Sequence, residues 1–200
     1  MTPKTSISSM AFSPATVVYD ACILYPFHLR NIVVQAAADG LVDARWTDAI
    51  HDEWMRNLLA NTPGLTAERL KVTKRLMDIA LPEATVDGYE RHIERVALPD
   101  PDDRHVAAAA IEAGASMIVT WNLRHFPVGE LRKHGLVRQT PDAFLAGLYE
   151  QASEMLVGSL ANARRNLSRS RVSAADFVAI LRDQRLARLA ARIEKHVDDL

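Results

Sequence analysis

The chain is poor in the residues that form disulfides and lacks the apolar segments that cross membranes. Cys22 is the only cysteine among 200 residues, so no disulfide can form within the chain. A lone cysteine fits a reducing cytoplasm. No stretch of the sequence approaches the roughly 18 apolar residues that span a bilayer. We therefore expect a cytoplasmic protein without a membrane anchor, with the polar residues 1–15 as a disordered leader.

The chain also lacks an excess of charge of either sign. Its formal net charge is -1, which excludes a protein that is basic throughout. Residues 1–150 carry 15 Lys and Arg against 19 Asp and Glu, whereas residues 151–200 carry 9 against 6. Binding to nucleic acid would therefore need a local basic patch, and the spare positive charge lies in the tail.

Several common catalytic motifs are absent as well. The sequence contains no glycine-rich nucleotide-binding loop and no G-x-S-x-G nucleophile elbow. Its seven histidines lack the paired spacing of zinc sites. Cys22 stands two residues after Asp20, where phosphatases of the haloacid-dehalogenase type carry a second aspartate.

Apolar runs alternate with amphipathic segments through the first 145 residues, which predicts an α/β domain with a mostly parallel sheet over residues 16–145. A strand is expected to begin the segment 16–24, with others at 42–46, 84–86, 117–121 and 136–138. Helices are expected at 26–38, from 47 or 48 until Pro63, and at 66–81, 88–96 and 105–113. From Pro141 the pattern is helical (141–151, 153–166, 173–183 and 184–198), which predicts a C-terminal helical extension over 146–200.

Four polar residues lie where an acidic metal site needs them. Asp20 and Asn122 follow apolar runs, Glu53 flanks the apolar face of a predicted helix, and Asp103 opens an alanine-rich helix. Because parallel strands expose their carboxyl ends at one crevice, we expect Asp20 and Asn122 to meet there. Carboxylates drawn together oppose each other's ionisation unless a cation compensates them. The pattern predicts a site for a hard divalent metal.

Three of these four residues also have an ordinary structural interpretation, which explains Asp103 less well. Asp20 could cap a helix, Glu53 could be a solvated surface residue, and Asn122 could end a strand in a plain turn. Asp100 and Asp102 are explained well as a helix start with Pro101. Thr120 is close enough in the chain to add a hydroxyl to the site.

The segments around these four residues, taken in order over residues 16–145, resemble the four motifs of PIN-domain nucleases. They are Val-Val-Tyr-Asp20-Ala-Cys-Ile-Leu, Glu53-Trp-Met-Arg-Asn, Asp100-Pro-Asp-Asp103-Arg-His and Ile-Val-Thr120-Trp-Asn122. They are most similar to the VapC-type toxins of bacterial toxin–antitoxin pairs.

This resemblance implies a PIN-like three-layer α/β/α fold and a metal-dependent endoribonuclease. It implies Asp20, Glu53 and Asp103 as ligands of Mg²⁺, for which Mn²⁺ could substitute, with Asn122 as a fourth catalytic residue. Asn122 and His125 stand where many members carry an acid. The implied partners are RNA and a cognate antitoxin, with a homodimer as a further option. A protein-binding module with a degenerate site and a non-toxin RNA-processing nuclease stay open as alternatives.

Two groups of arginines are candidate contacts to RNA phosphate. One group lies near the motifs, and the other lies in the basic connector 162–172, which could equally be a solvated linker. They are Arg30, Arg56, Arg104 and Arg124, and Arg164, Arg165, Arg169 and Arg171.

Overall fold

The computed structural model describes residues 12–200, so most of the predicted leader lies outside the described residues. Its sheet has four parallel strands in the order β2-β1-β3-β4. The strands are β1 (Thr16–Tyr19), β2 (Asp43–Arg45), β3 (Met117–Val119) and β4 (Val137–Gln139). β1 pairs with both β2 and β3, and Val17 lies opposite Ala44 on one side and Met117 on the other.

The two central strands are apolar along their length because helices cover both faces of the sheet. Val17, Val18 and Tyr19 of β1 are fully buried, as are Ile118 and Val119 of β3. Continuous apolar strands of this kind are typical of parallel sheets with no face open to water. The predicted three-layer α/β/α fold with additional C-terminal helices is confirmed.

Ten α-helices are present in residues 12–200. Before the tail they are α1 (Ala21–Leu24), α2 (Phe27–Ala38), α3 (Asp48–Asn61), α4 (Ala67–Ala80), α5 (Arg104–Glu112) and α6 (Val128–Lys133). In the tail they are α7 (Pro141–Gln151), α8 (Ser153–Arg165), α9 (Ala174–Asp183) and α10 (Ala187–Ile193). Short 3₁₀ segments lie at Tyr89–Arg95, Pro101–Asp103, Leu123–His125 and Glu194–Asp199. Threonine or serine hydroxyls cap the N-termini of several of these helices by accepting a hydrogen bond from a first-turn N–H group.

The structure differs from the sequence-based expectation at several places. Two short helices were not expected, namely α1, which begins directly after Asp20, and α6. The strand expected at 84–86 forms only a single bridge between Trp46 and Thr85. The helix expected at 88–96 is a 3₁₀ segment, and the helix expected at 184–198 divides into α10 and a 3₁₀ segment. In each case packing against distant parts of the chain decides whether a short element forms and how far it extends. The local sequence pattern does not encode that packing.

The C-terminal helices pack directly on the α/β layers. The Asn31 side-chain amide on α2 donates to the Ala163 carbonyl on α8 at 2.7 Å. The Asp142 carboxylate on α7 accepts hydrogen bonds from the backbone N–H groups of Arg188 and Leu189 at the start of α10. The expected division at residues 145/146 lies inside α7, and the division itself stays a prediction.

Within residues 12–200, no helix is both long and apolar enough to cross a bilayer.

Candidate functional site

The site lies where the chain reverses its direction across the sheet. From β1 the chain passes to β2 on one side of the sheet and later returns to β3 on the other. The carboxyl ends of β1 and β3 are joined by a hydrogen bond from the Asp20 N–H to the Val119 carbonyl at 3.1 Å. Parallel sheets form their functional crevice at such a point. Asp20 and Thr120 are therefore brought together although 100 positions separate them.

Asp20 is a buried carboxylate held by two side-chain donors. Only 2% of the residue is exposed. The Thr120 hydroxyl donates to Oδ2 of Asp20 at 2.5 Å, and the Cys22 thiol donates to the same oxygen at 3.1 Å. Burial raises the pKa of Asp20, the two donors lower it, and the charge of Glu53 raises it. The carboxylate is thus fixed in orientation, and among the described residues no cation forms an ion pair with it.

Cys22 can act as a donor because it keeps its proton. Burial and the neighbouring Asp20 charge raise the pKa of the Cys22 thiol above its usual value. The thiol sulfur also accepts a hydrogen bond from the Trp121 N–H at 3.3 Å. Cys22 therefore links the end of β1 to the residues that follow β3.

Glu53 is positioned by the buried face of α3. The Thr47 hydroxyl accepts from the Ile50 N–H and begins the helix. Ile50 and Trp54 are fully buried, so the helix is anchored on both sides of Glu53. Nε2 of His105 lies 3.6 Å from a carboxylate oxygen of Glu53.

Asp103 ends the 3₁₀ turn that precedes α5. Its Oδ2 lies 2.7 Å from Nδ1 of His125, which belongs to the turn after β3. Burial raises the pKa of Asp103, the hydrogen bond to His125 lowers it, and the Asp20 charge raises it again. The carboxylates of Asp20 and Asp103 therefore lie within electrostatic reach of each other.

Three of the four predicted residues line one open cleft of about 670 Å³, namely Glu53, Asp103 and Asn122. Asp20 does not line this cleft and lies buried behind it. A second, adjoining pocket of about 320 Å³ has Glu53 and Asn122 in its wall together with Cys22. Asp20 lines neither opening, and its link to the second pocket is the hydrogen bond from Cys22.

His125 and Asp100 have a larger part in this region than the sequence suggested. Possible ligand atoms of Asp100, Asp103 and His125 all lie within 4.8 Å of one another. Asp100 also accepts from the Asp102 N–H at 3.0 Å, as its expected capping role requires. The sequence signal for His125 was its place in the fourth motif, where many members of the resembled family carry an acid, and nothing marked Cys22 as a donor to Asp20.

The candidate phosphate-binding arginines divide clearly. Arg56 lines the large cleft, and Arg124 is exposed beside His125. Arg30 is buried, donates to the backbone carbonyls of Leu24 and Tyr25, and lies 4.7 Å from the Trp54 ring centre. The expectation that Arg30 contacts phosphate is therefore wrong, because its guanidinium is already occupied in the core.

In the tail, Arg164 is also engaged within the protein. Its guanidinium donates to the carbonyl of Val172 at 2.9 Å and to the carbonyl of Leu200 at 2.8 Å. These bonds fix the C-terminus against the connector. The proposed contact of Arg164 with RNA is therefore replaced by a structural role.

Comparisons with known proteins match both parts of the chain. The family model described as "PIN domain" matches residues 15–124, and the model described as "VapC50 C-terminal domain" matches residues 141–195. A protein of Mycobacterium tuberculosis (strain ATCC 25618 / H37Rv) with the name "Putative ribonuclease VapC50" is 41% identical over 64 residues. That segment covers 30% of this chain and 38% of the relative. No solved structure matches the chain significantly.

Proposed function

The chain belongs to the PIN-domain family, and on that basis we propose that it is a divalent-metal-dependent endoribonuclease, the toxin of a toxin–antitoxin pair. The matched VapC50 C-terminal domain and the relative's name as a ribonuclease support this proposal. The observation that carries it is the convergence of Glu53, Asp103 and Asn122 on one cleft with the Asp20 carboxylate behind it.

The donor set fits a hard metal ion. The region offers the carboxylates of Asp20, Glu53 and Asp103, and the neighbouring charges oppose one another's ionisation. None of the ion pairs in residues 12–200 gives Asp20 a cationic partner. Oxygen donors of this type suit Mg²⁺, and Mn²⁺ could substitute for it. Asp20, Glu53 and Asp103 are the proposed ligands.

A bound divalent ion would supply activation of a water for attack on a phosphodiester and charge stabilisation of the leaving oxygen. The chain's own residues prepare that chemistry. Thr120 and Cys22 fix the Asp20 carboxylate through Oδ2, and His125 fixes the Asp103 carboxylate through its Oδ2. Asn122 presents an amide at the cleft wall that can orient a water or a substrate oxygen. Arg56, which also lines the cleft, can contact RNA phosphate.

Loss of single carboxylates tests the proposal. The Asp20→Asn and Asp103→Asn variants should no longer cleave single-stranded RNA in Mg²⁺. Both variants should still unfold cooperatively on heating, which would show that the fold is intact. Asp87→Asn is a matched control, because Asp87 is exposed and forms none of the described hydrogen bonds. Calorimetric titration with Mn²⁺ should show binding to the native protein and to the control, and loss of binding in the two site variants. Cleavage by both site variants at the native rate would exclude this metal site.

The same titration separates the nuclease from a protein-binding module with a degenerate site. A degenerate site, suggested by Asn122 in a position where many members carry an acid, would bind Mn²⁺ poorly in the native protein as well. The toxin assignment needs a different measurement. Induced expression should arrest growth, and co-expression with the neighbouring open reading frame should restore it; no arrest in either case would favour a housekeeping RNA-processing nuclease.

A surface suited to a cognate antitoxin lies away from the cleft. An apolar groove of about 460 Å³ runs between α2 and α4, with Phe27 and Leu76 exposed in its wall. Arg69 and Arg75 on α4 are exposed and take part in none of the described ion pairs. Apolar surface flanked by unpaired positive charge complements an acidic amphipathic segment. Purified protein should therefore form a complex with the antitoxin. If the protein forms a homodimer when no antitoxin is present, the groove would be assigned to a second copy of the chain instead.

We also propose a cytoplasmic location, because a toxin that cleaves cellular RNA must act where that RNA is and because the chain's one cysteine is free.

A further inference from the structure

Arg185 has a positive φ, which among the non-glycine residues of 12–200 is shared only by Arg171. In residues 12–200, four helices end in the same hydrogen-bonding pattern, in which the second residue after the helix has a positive φ and two backbone N–H groups bond back into the last turn. Three of them use glycine, at Gly40, Gly114 and Gly135, and α9 uses Arg185 at a φ of 62°. Because glycine adopts this conformation without steric cost, an arginine here indicates that its side chain is used.

The Arg185 side chain is exposed and stacks on an aromatic ring. Its guanidinium carbon lies 4.4 Å from the centre of the Trp121 ring. Among the described residues it forms neither an ion pair nor a side-chain hydrogen bond, whereas Arg182 pairs with Glu194 and Arg192 pairs with Glu150. A guanidinium stacked on a ring keeps its N–H edge free for a planar or tetrahedral anion.

Trp121 connects Arg185 to the candidate site. It lies between Thr120, which donates to Asp20, and Asn122, which lines the cleft. Its own N–H donates to the Cys22 sulfur at 3.3 Å. The turn between α9 and α10 thus places an unpaired positive charge on the ring of a residue whose two chain neighbours belong to the site, although neither Arg185 nor Trp121 lines the cleft itself.

We propose that Arg185 binds a backbone phosphate of RNA beside the cleft, so that the C-terminal helices supply part of the substrate-binding surface. This rests on the proposed ribonuclease function. The cleft is lined by several carboxylates, which repel a polyanion, so an approaching RNA strand needs cations next to it. Arginine meets this need well because its fork of N–H donors matches phosphate geometry.

Arg185→Gly tests the contact with little disturbance of the fold, because glycine is favoured at this φ. Arg132→Ala is the matched control, because Arg132 is also exposed, forms none of the described ion pairs or side-chain hydrogen bonds, and its replacement removes the same charge. The probe is a fluorescein-labelled, single-stranded RNA of mixed sequence and about 20 nucleotides, which is longer than the site of a typical single-strand-binding domain. Its binding is measured by fluorescence anisotropy in EDTA at several salt concentrations. Thermal melting of both variants is recorded alongside.

Arg185→Gly should bind this RNA about tenfold more weakly than the native protein. The slope of log affinity against log salt should fall by about 0.7, the value for one phosphate contact on a single strand. Arg132→Ala should retain native affinity and slope, and both variants should melt near the native temperature.

Equal RNA affinity and salt slope in the two variants would overturn the proposal, as would a native protein that does not bind the RNA. A lowered melting temperature of Arg185→Gly with unchanged RNA binding would reduce Arg185 to a structural contact with Trp121. Unchanged RNA binding with lost affinity for a protein partner would assign the arginine to that partner and would equally overturn the proposal. RNA binding is measured without divalent ions, so it does not depend on the metal site. If the nuclease proposal is wrong, this would appear in a separate measurement, as absent RNA cleavage in Mg²⁺.

Discussion

The hydroxyl of Thr120 should control how well the Asp20 carboxylate binds a metal ion. The Thr120 hydroxyl donates to Asp20 at 2.5 Å and accepts from the Asn122 N–H at 2.9 Å. Thr120→Val keeps nearly the same shape and removes both bonds. The Asn122 N–H can turn to water because Asn122 is exposed, but the buried carboxylate has no comparable replacement.

The size of the effect follows from the bond that is lost. A hydrogen bond to a charged group contributes about 1.5–3 kcal/mol. Because about 1.4 kcal/mol corresponds to a factor of ten, Mn²⁺ affinity should fall by about 10- to 100-fold if Asp20 is a ligand. The Cys22 thiol remains as a donor at 3.1 Å, so the carboxylate keeps part of its orientation and cleavage should be slowed, not abolished.

Calorimetric titration with Mn²⁺ measures the first effect, and the rate of RNA cleavage at saturating metal measures the second. Thr120→Ser is the control, because it keeps the hydroxyl and loses only a methyl group. It should bind Mn²⁺ within about threefold of the native protein, a difference of roughly 0.6 kcal/mol. Native Mn²⁺ affinity in a folded Thr120→Val variant would refute the reasoning, since the bond would then contribute nothing to the metal site.

Two further predictions concern stability. Asp142→Ala removes the carboxylate that accepts hydrogen bonds from the N–H groups of Arg188 and Leu189. The loss of this helix cap should lower the free energy of unfolding by about 1–2 kcal/mol, which lowers the melting temperature by about 2–8 °C. An unchanged melting temperature would show that α10 needs no cap. The hydrogen bond from Lys133 lowers the pKa of Glu130 from 4.5 to about 2, so its stabilisation is complete above pH 4.5 and is lost as the pH falls towards 2. The melting temperatures of the native protein and Glu130→Gln should therefore differ at about pH 7 and converge at about pH 2–3, and a constant difference would contradict the shifted pKa.

The local sequence predicts the regular parts of the fold well. The buried run at β1, the apolar face of α3 and the helix start at Asp100 and Pro101 all depend on residue spacing, and the structure has them at the expected places. The local sequence predicts the length of short elements less well. The segment 84–86 was expected to be a strand, but it forms only a single bridge with Trp46. Pairing partners, which lie far away in the chain, decide such cases.

The candidate site was predictable as a set of residue types and not as a set of contacts. Glu53 by itself looks like a solvated surface residue, and only the resemblance to PIN-domain nucleases distinguished it. Arg30 looked free to bind phosphate, yet it lies in the core against Trp54. Arg185 attracted no attention, because neither its φ nor its stacking on Trp121 is visible in the sequence.

The sequence by itself determined the α/β pattern, the order of the polar residues and the family they resemble, because periodicity and motif order are properties of neighbouring residues. Only the tertiary structure decided which donors hold Asp20, that His125 pairs with Asp103, and that the tail places a cation on Trp121. Apart from the contact of Cys22 with Asp20, these contacts join positions that are 22 to 100 residues apart. Their existence depends on the strand order and on which helix faces meet, and local sequence does not encode either.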